Sequence, residues 1–343
     1  MAKLLGLLFM VACCQLVHAE DTGGEMPREL VRDAIGKAIP LLQQGATVSA
    51  NERKCFTCHN QALPVFVLAE VAKQDFEIDQ EILQRQLQHT WNHLNSGTSG
   101  YRAGKGQGGQ VMTAGYAMWA LEMGEWKADE TTTAVAHYLV EYQRDKNRWV
   151  GNSKRLPSSG SGFTATYLAL RALSHYGSDE QQDGIKARRE AAAKWILETQ
   201  PDDMEDRVFQ LRSLPYINAD PPIIQRAVDA LLAKQEASGG WSQADDMQPD
   251  AYATGTALTA LQEVGHLSNN HPAVVSGCRY LIDSQLEDGT WYVATRAKPI
   301  QEYYESGFPH DVDQFISITA TGWATLALTR ALPTAHAKVK LQR

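Results

Sequence analysis

The chain has 343 residues, 43% hydrophobic and 21% charged, with a formal net charge of −8. That is ordinary globular composition with length enough for a large core. The acidic balance argues against nucleic acid or an anionic membrane surface as partner.

In chain order, residues 1–19 read as a signal peptide. Lys3 supplies the positive start, and Leu4 to Leu16 is an apolar run too short to span a bilayer. Val17-His18-Ala19 places small residues where a signal peptidase reads, which puts cleavage after Ala19. The expected product is exported, periplasmic or secreted. A lipoprotein cleaved before Cys13 or Cys14 is the weaker alternative, because Met10 stands where such sites usually carry Leu. No other segment is expected to span a membrane. Residues 20–27 are expected to form a flexible N-terminus, 28–332 a single domain, and 333–343 a C-terminal tail. Export to an oxidising compartment would leave Cys55, Cys58 and Cys278 in the mature chain. Cys278, in the apolar helical pattern Val274–Leu281, reads as a buried structural thiol.

Cys55-Phe56-Thr57-Cys58-His59 is the most specific chemical statement in the chain. Two cysteines three apart, followed at once by histidine, have the spacing of a c-type haem attachment site. Each thiolate would add to one vinyl group, and the His59 imidazole would be the proximal iron ligand. The alternatives are a Cys55–Cys58 disulfide and a metal site. Zinc fits poorly, since Cys58 and His59 are sequence neighbours and no second Cys/His pair follows at ligand spacing.

Beyond the motif, amphipathic helices are predicted near 28–44, 80–95, 129–145, 184–199, 221–236 and 271–286. They alternate with helices that are apolar or small nearly all round, near 61–74, 112–124, 163–176, 205–214, 251–264 and 316–331. Six such pairs predict an all-α fold, an (α/α)6 toroid with six inner helices ringed by six outer ones. An open α-helical repeat solenoid is the alternative. An internal repeat supports the count. Gln235-x-x-x-Gly239-x-Trp241 recurs as Gln285-x-x-x-Gly289-x-Trp291 and, more weakly, as Gln143-x-x-x-Asn147-x-Trp149. Gly or Asn would take the left-handed conformation that ends a helix, Trp would cover the core, and the Gln amide would bond a neighbouring helix end.

This repeat, followed by a small-residue helix such as Asp250-Ala251-Tyr252-Ala253-Thr254-Gly255, resembles that of squalene–hopene cyclases and protein prenyltransferase β subunits. The resemblance implies the α/α-toroid fold and only weakly a function, because that fold hosts many chemistries. The chain departs from the pattern in having no Asp-x-Asp-Asp acid; the nearest stretches are Asp311-Val312-Asp313-Gln314 and Asp245-Asp246-Met247-Gln248. No counterpart of the prenyltransferase zinc set is evident.

In such a toroid the loops entering the inner helices gather at one mouth, where functional residues concentrate. The haem-type motif lies on the first of these loops. Further iron ligands are sought there, with His310 first and Met112 second. Asp311, Asp313 and Asp250 are candidate acids at the same mouth, although Asp250 also has the position of a helix cap. The leading expectation is an exported toroid carrying one covalent haem c, engaged in electron transfer with a redox partner or in haem-dependent oxidation of an apolar pocket-bound molecule. The alternatives are a non-redox, terpene-cyclase-like enzyme using Asp acid catalysis, and a binding module with a Cys55–Cys58 disulfide.

Overall fold

The computed structural model describes residues 26–151, 155–299 and 302–333. The expected signal peptide and nearly all of the C-terminal tail lie outside these residues. The described chain is helical, with one isolated bridge between Ser242 and Pro249. Its helices, in order, are α1 (Arg28–Glu52), α2 (Leu63–Ala72), α3 (Gln80–Ser96), α4 (Thr98–Arg102), α5 (Gln110–Met123), α6 (Glu130–Glu141), α7 (Gly162–Tyr176), α8 (Gln182–Glu198), α9 (Met204–Ser213), α10 (Pro221–Leu232), α11 (Ala251–Glu263), α12 (Pro272–Ser284) and α13 (Gln314–Ala331). No described helix is long and apolar enough to cross a membrane.

Helices α2, α5, α7, α9, α11 and α13 are the inner ring, and each packs on the next. The ring closes because α13 packs on α2, and α12 touches α1 outside it. That closure decides for the toroid over the open solenoid. The inner helices have mostly buried residues, including Trp119, Tyr167, Tyr252 and Trp323. They start on side-chain caps where the sequence offers them: Ser161 accepts from the Thr164 amide, Asp203 from Asp206, and Asp250 from Ala253.

The repeat signature has a mechanical meaning. Trp149, Trp241 and Trp291 are fully buried, and each indole N–H donates to the carbonyl of the outer helix before it, at Leu139, Leu231 and Leu281. Their backbone amides donate to Thr166, Thr254 and Thr321 on the following inner helix. The Trp therefore ties an outer helix to an inner one by both ends, which explains why Thr recurs at that point. Gln235 Nε2 donates to Ala273 O at 2.9 Å, and Gln285 Nε2 to Ala34 O at 2.9 Å. In the weaker copy Gln143 bonds only locally, and Arg188 instead reaches the carbonyls of Asp145, Lys146 and Arg148.

Three local expectations change. Gly239 and Gly289 do adopt positive φ, 87° and 90°, but several residues past the helix ends. There the turn lies against the next outer helix: a Cβ on Gly289 would stand 2.6 Å from Lys37 O. Helix α1 runs to Glu52, beyond the expected 44, because Gly45 lets it press against α13; a Cβ there would meet Ile318 at 2.7 Å. The Gly-rich stretch 97–109, which lies between the helices expected near 80–95 and 112–124, holds an unexpected helix, α4, and a fully buried Tyr101 whose hydroxyl donates to Gln107.

The end of the barrel opposite the mouth is held by ions. Arg171 grips Glu122 with two bonds of 2.7 and 2.9 Å. Glu263 joins the fully buried Arg212 to Arg330, which also reaches Glu70. The Arg212 guanidinium lies over the Trp323 ring, 5.2 Å from its centroid.

Candidate functional site

A cavity of about 370 Å³ opens at the mouth, within the range of small-molecule sites. Its wall is drawn from the loops entering α2, α7 and α13 and from the first turns of α13. Phe315, Ile316 and Thr319 form the inner face; Arg155, Lys298 and Glu302 stand among the remaining wall residues. Leu156, Tyr303 and Val312 are also on the wall and are exposed large apolar side chains, Val312 by 66%.

The Cys-x-x-Cys-His segment enters this wall on one side only. Thr57 and Gln61 bracket it: Gln61 Oε1 accepts from the Thr57 amide and hydroxyl, and Thr57 Oγ1 accepts from the Asn60 amide. Cys58–Ala62 winds as a π-helical turn leading into α2, a device that re-aims side chains. Cys58 and His59 line the cavity, with Cys58 Sγ 3.6 Å from His59 Nδ1. His59 is only 8% exposed, its ring lies 4.9 Å from that of Phe315, and its Nε2 has no hydrogen-bond partner among the described residues. Burial, helped by the Arg155 charge, pushes its pKa down to about 3 and keeps it neutral. Burial likewise raises the Cys58 thiol, so the S–H is retained and can donate to Nδ1. Cys55 is exposed and is not part of the cavity wall, and both thiols are free.

The other sequence candidates do not converge on His59. His310 Nε2 lies 2.8 Å from Thr290 Oγ1, with its ring beside Tyr292 and Phe308, and it does not line the cavity. Met112 is buried on α5, also away from the cavity wall. Asp311 is exposed, and half-buried Asp313 accepts from the Tyr292 hydroxyl and the Thr295 amide, both at 2.8 Å. Asp250 caps α11 and accepts from Gln243 Nε2 at 2.7 Å; burial raises its pKa.

The residue that sequence reasoning missed is Glu205. It sits in the first turn of α9, 3% exposed, inside the ring of inner helices. Thr164 Oγ1 donates to Oε1 at 2.8 Å, and Tyr252 Oη to Oε2 at 2.9 Å, so α7, α9 and α11 meet at this carboxyl. Burial, against those two bonds, pushes its pKa up to about 8. At neutral pH Glu205 is an un-ionised acid, close enough to Cys58 that its charge would bear on that thiol. The available signal was Glu205, Val208, Phe209 and Arg212 sharing one face of an inner helix.

Residues 172–341 match the squalene-hopene cyclase C-terminal domain family. A squalene–hopene cyclase of Bradyrhizobium diazoefficiens is 33% identical over 104 residues, spanning 27% of this chain and 14% of that enzyme. Among solved structures, the type II terpene cyclase MstE from Scytonema in its apo form superposes with a TM-score of 0.59 at 12% identity, covering 90% of this chain and 100% of that one. A variant of it bound to its substrate, geranylgeranyl dihydroxybenzoate, gives 0.60 at 11% identity, covering 89% and 97%. The chain has the α/α-toroid fold of these cyclases. In sequence its second half is similar to the squalene–hopene cyclases, while the structural likeness at such low identity speaks for the fold.

These likenesses overturn the leading expectation of a haem-bearing protein of electron transfer or haem-dependent oxidation. The matching family, the sequence relative and the structural neighbours are all cyclases. The physical reason is visible at the motif. A group bridging both thiols needs them on one cavity, and only Cys58 faces it.

Proposed function

We propose that this chain is a non-redox, cyclase-like enzyme that holds an apolar, prenyl-type small molecule at the barrel mouth and acts on it by proton transfer from Glu205. The observation that carries the reading is the Glu205 carboxyl, buried between Thr164 and Tyr252 and protonated at neutral pH. Protonating an alkene demands a neutral acid held away from water, and burial supplies both conditions. A chain without the Asp-x-Asp-Asp stretch needs its acid elsewhere. Asp313 is reached by solvent, and Asp250 is engaged as a cap; Glu205 lies inside the ring rather than on the cavity wall and is the most buried carboxyl of the three, so the substrate chain has to reach past the wall toward it. The apolar part of the cavity, Phe315 with Ile316 and Leu156, suits a hydrocarbon chain. The polyprenyl class is carried over from the neighbours.

The test is incubation with geranylgeranyl-chain compounds, including the dihydroxybenzoate of the Scytonema enzyme, and analysis for cyclised isomers of unchanged mass. Glu205→Gln should lower the rate by at least about 10²-fold, the usual worth of a positioned acid. Asp313→Asn should retain most of it. Turnover that survives Glu205→Gln overturns the assignment.

A further inference from the structure

Acid chemistry at Glu205 leaves the Cys-x-x-Cys-His segment unused, yet half of that segment is built into the cavity wall. Cys58 lines the cavity, and its Sγ lies 3.6 Å from His59 Nδ1. Both side chains leave the π-helical turn Cys58–Ala62, whose start is pinned by the bonds between Thr57 and Gln61. Turns of this kind recur at functional sites. Burial holds the thiol un-ionised, but the Arg155 charge and the backbone amides of Cys58 and His59 act the other way, on the side of negative charge at sulfur. His59 is only 8% exposed and lines the same cavity, and its Nε2 has no partner among the described residues. Buried polar atoms are normally paired, so this one is open to a ligand atom. Phe315, Ile316 and Leu156 give the cavity an apolar side.

We propose that Cys58 is a nucleophile that takes an apolar acyl group from an acyl thioester, with His59 as its base, and keeps that group in the cavity as an S-acyl cysteine. This goes beyond the acid reading above, makes no use of Glu205 and stands or falls apart from it. The step exchanges one thioester for another. As sulfur bonds to the carbonyl carbon, the thiol hydrogen passes to His59 Nδ1 and the C=O electron pair moves onto oxygen. The amides of Cys58 and His59 and the unpartnered Nε2–H are the donors at hand for that oxygen. When the carbonyl re-forms, the C–S bond to the donor breaks, and the departing thiolate takes the proton from Nδ1. No oxidant or reductant enters. Desolvation leaves no standing thiolate, so Cys58 is not a general scavenger of electrophiles; it reacts when an apolar chain seats the carbonyl beside it. A seated chain also keeps water from the new thioester, and the acyl group is retained.

The experiment is incubation of the whole protein with the lauroyl thioester of N-acetylcysteamine, an uncharged donor, followed by peptide mapping in a mass spectrometer. One lauroyl group should appear on Cys58, removable by neutral hydroxylamine, before any appears on the exposed Cys55. That order is the reverse of simple accessibility. The acetyl thioester of the same donor has no chain to seat and should label Cys55 first. His59→Gln should slow acylation of Cys58 at least about tenfold, as expected on losing a positioned base. Cys55→Ser should acylate Cys58 at the parent rate. The proposal is overturned if the lauroyl donor labels Cys55 first or leaves Cys58 free, if both donors label the thiols in the same order, or if His59→Gln leaves the Cys58 rate unchanged. The order of the two thiols is read on the parent protein, so that arm decides even where the His59 variant does not fold.

Discussion

The Tyr252 hydroxyl donates to Glu205 Oε2 at 2.9 Å, joining the first turns of two neighbouring inner helices inside the barrel. Two hydroxyl donors would ordinarily favour the carboxylate, but desolvation outweighs them and the pKa stands at about 8. An unfolded Glu titrates near 4.3, so the folded value is raised. Stability from this group is therefore fully present below about pH 4 and is lost as pH rises through 8, at up to about 1.4 kcal/mol per pH unit. Glu205→Gln should flatten that decline, so the variant gains on the parent between pH 5 and 8 in urea titrations. Turnover should fall above pH 8 as the acid ionises. A parent and variant with parallel stability profiles would contradict the buried, protonated state.

Thiol labelling tests the geometry of the Cys-x-x-Cys-His segment. Cys55 is exposed, Cys58 is part-buried with a raised pKa, and Cys278 is fully buried with its thiol pushed up to about 12. In a form of the chain that begins after Ala19, and so lacks Cys13 and Cys14, an aromatic disulfide reagent at pH 8 should release one equivalent quickly from Cys55 and a second slowly from Cys58, with the third appearing only in denaturant. The fast phase should vanish in Cys55→Ser. Equal rates at Cys55 and Cys58 would place both thiols at the surface and contradict the cavity wall described here.

The fold was legible because the repeat states its own mechanics. Trp241 and Trp291 need a carbonyl behind and a threonine ahead, and those partners lie at fixed offsets along the chain. The site was less legible. Glu205 lies in Asp202-Asp203-Met204-Glu205-Asp206, an acidic run with the composition of a helix cap. Asp203 does cap; nothing local tells which neighbouring carboxyl turns inward. Arg155 lies in a Ser/Gly-rich loop, and its place beside His59 depends on ring closure. In the Cys55–His59 segment the spacing was plain, but whether both thiols face one cavity is settled by how the π-turn seats on the barrel.

The ion cluster at the closed end makes an ordered prediction. Glu263 is the shared anion of Arg212, which is 1% exposed, and Arg330, 2.7 Å away. Glu263→Gln strands the fully buried Arg212 and leaves Arg330 with Glu70 alone, and should cost about 3–5 kcal/mol. Arg212→Met should cost less, because Glu263 keeps Arg330 and the Met side chain can pack on Trp323 and Trp119. The reverse order in denaturant midpoints would show that Arg212, rather than Glu263, organises the cluster.

Two glycines on either side of the ring seam should respond to alanine with opposite signs. Gly289 has φ of 90°, and a Cβ would stand 2.6 Å from the Lys37 carbonyl oxygen and 2.8 Å from its carbon. Those are backbone atoms of α1, so no side chain can rotate away. The turn must shift, and with it the Gln285 bond to Ala34 O that joins the ends of the outer ring. Strain and the weakened bond together should cost about 2–4 kcal/mol. Gly36 lies one residue before Lys37 in the same helix, exposed, with nothing within 4 Å of its would-be Cβ. Gly36→Ala should stabilise by about 0.5–1 kcal/mol, because alanine loses less backbone entropy in a helix interior. Thermal unfolding of the two variants beside the parent measures both shifts. A Gly289→Ala protein as stable as the parent would mean that the turn does not bear on α1 and that the seam closes without it.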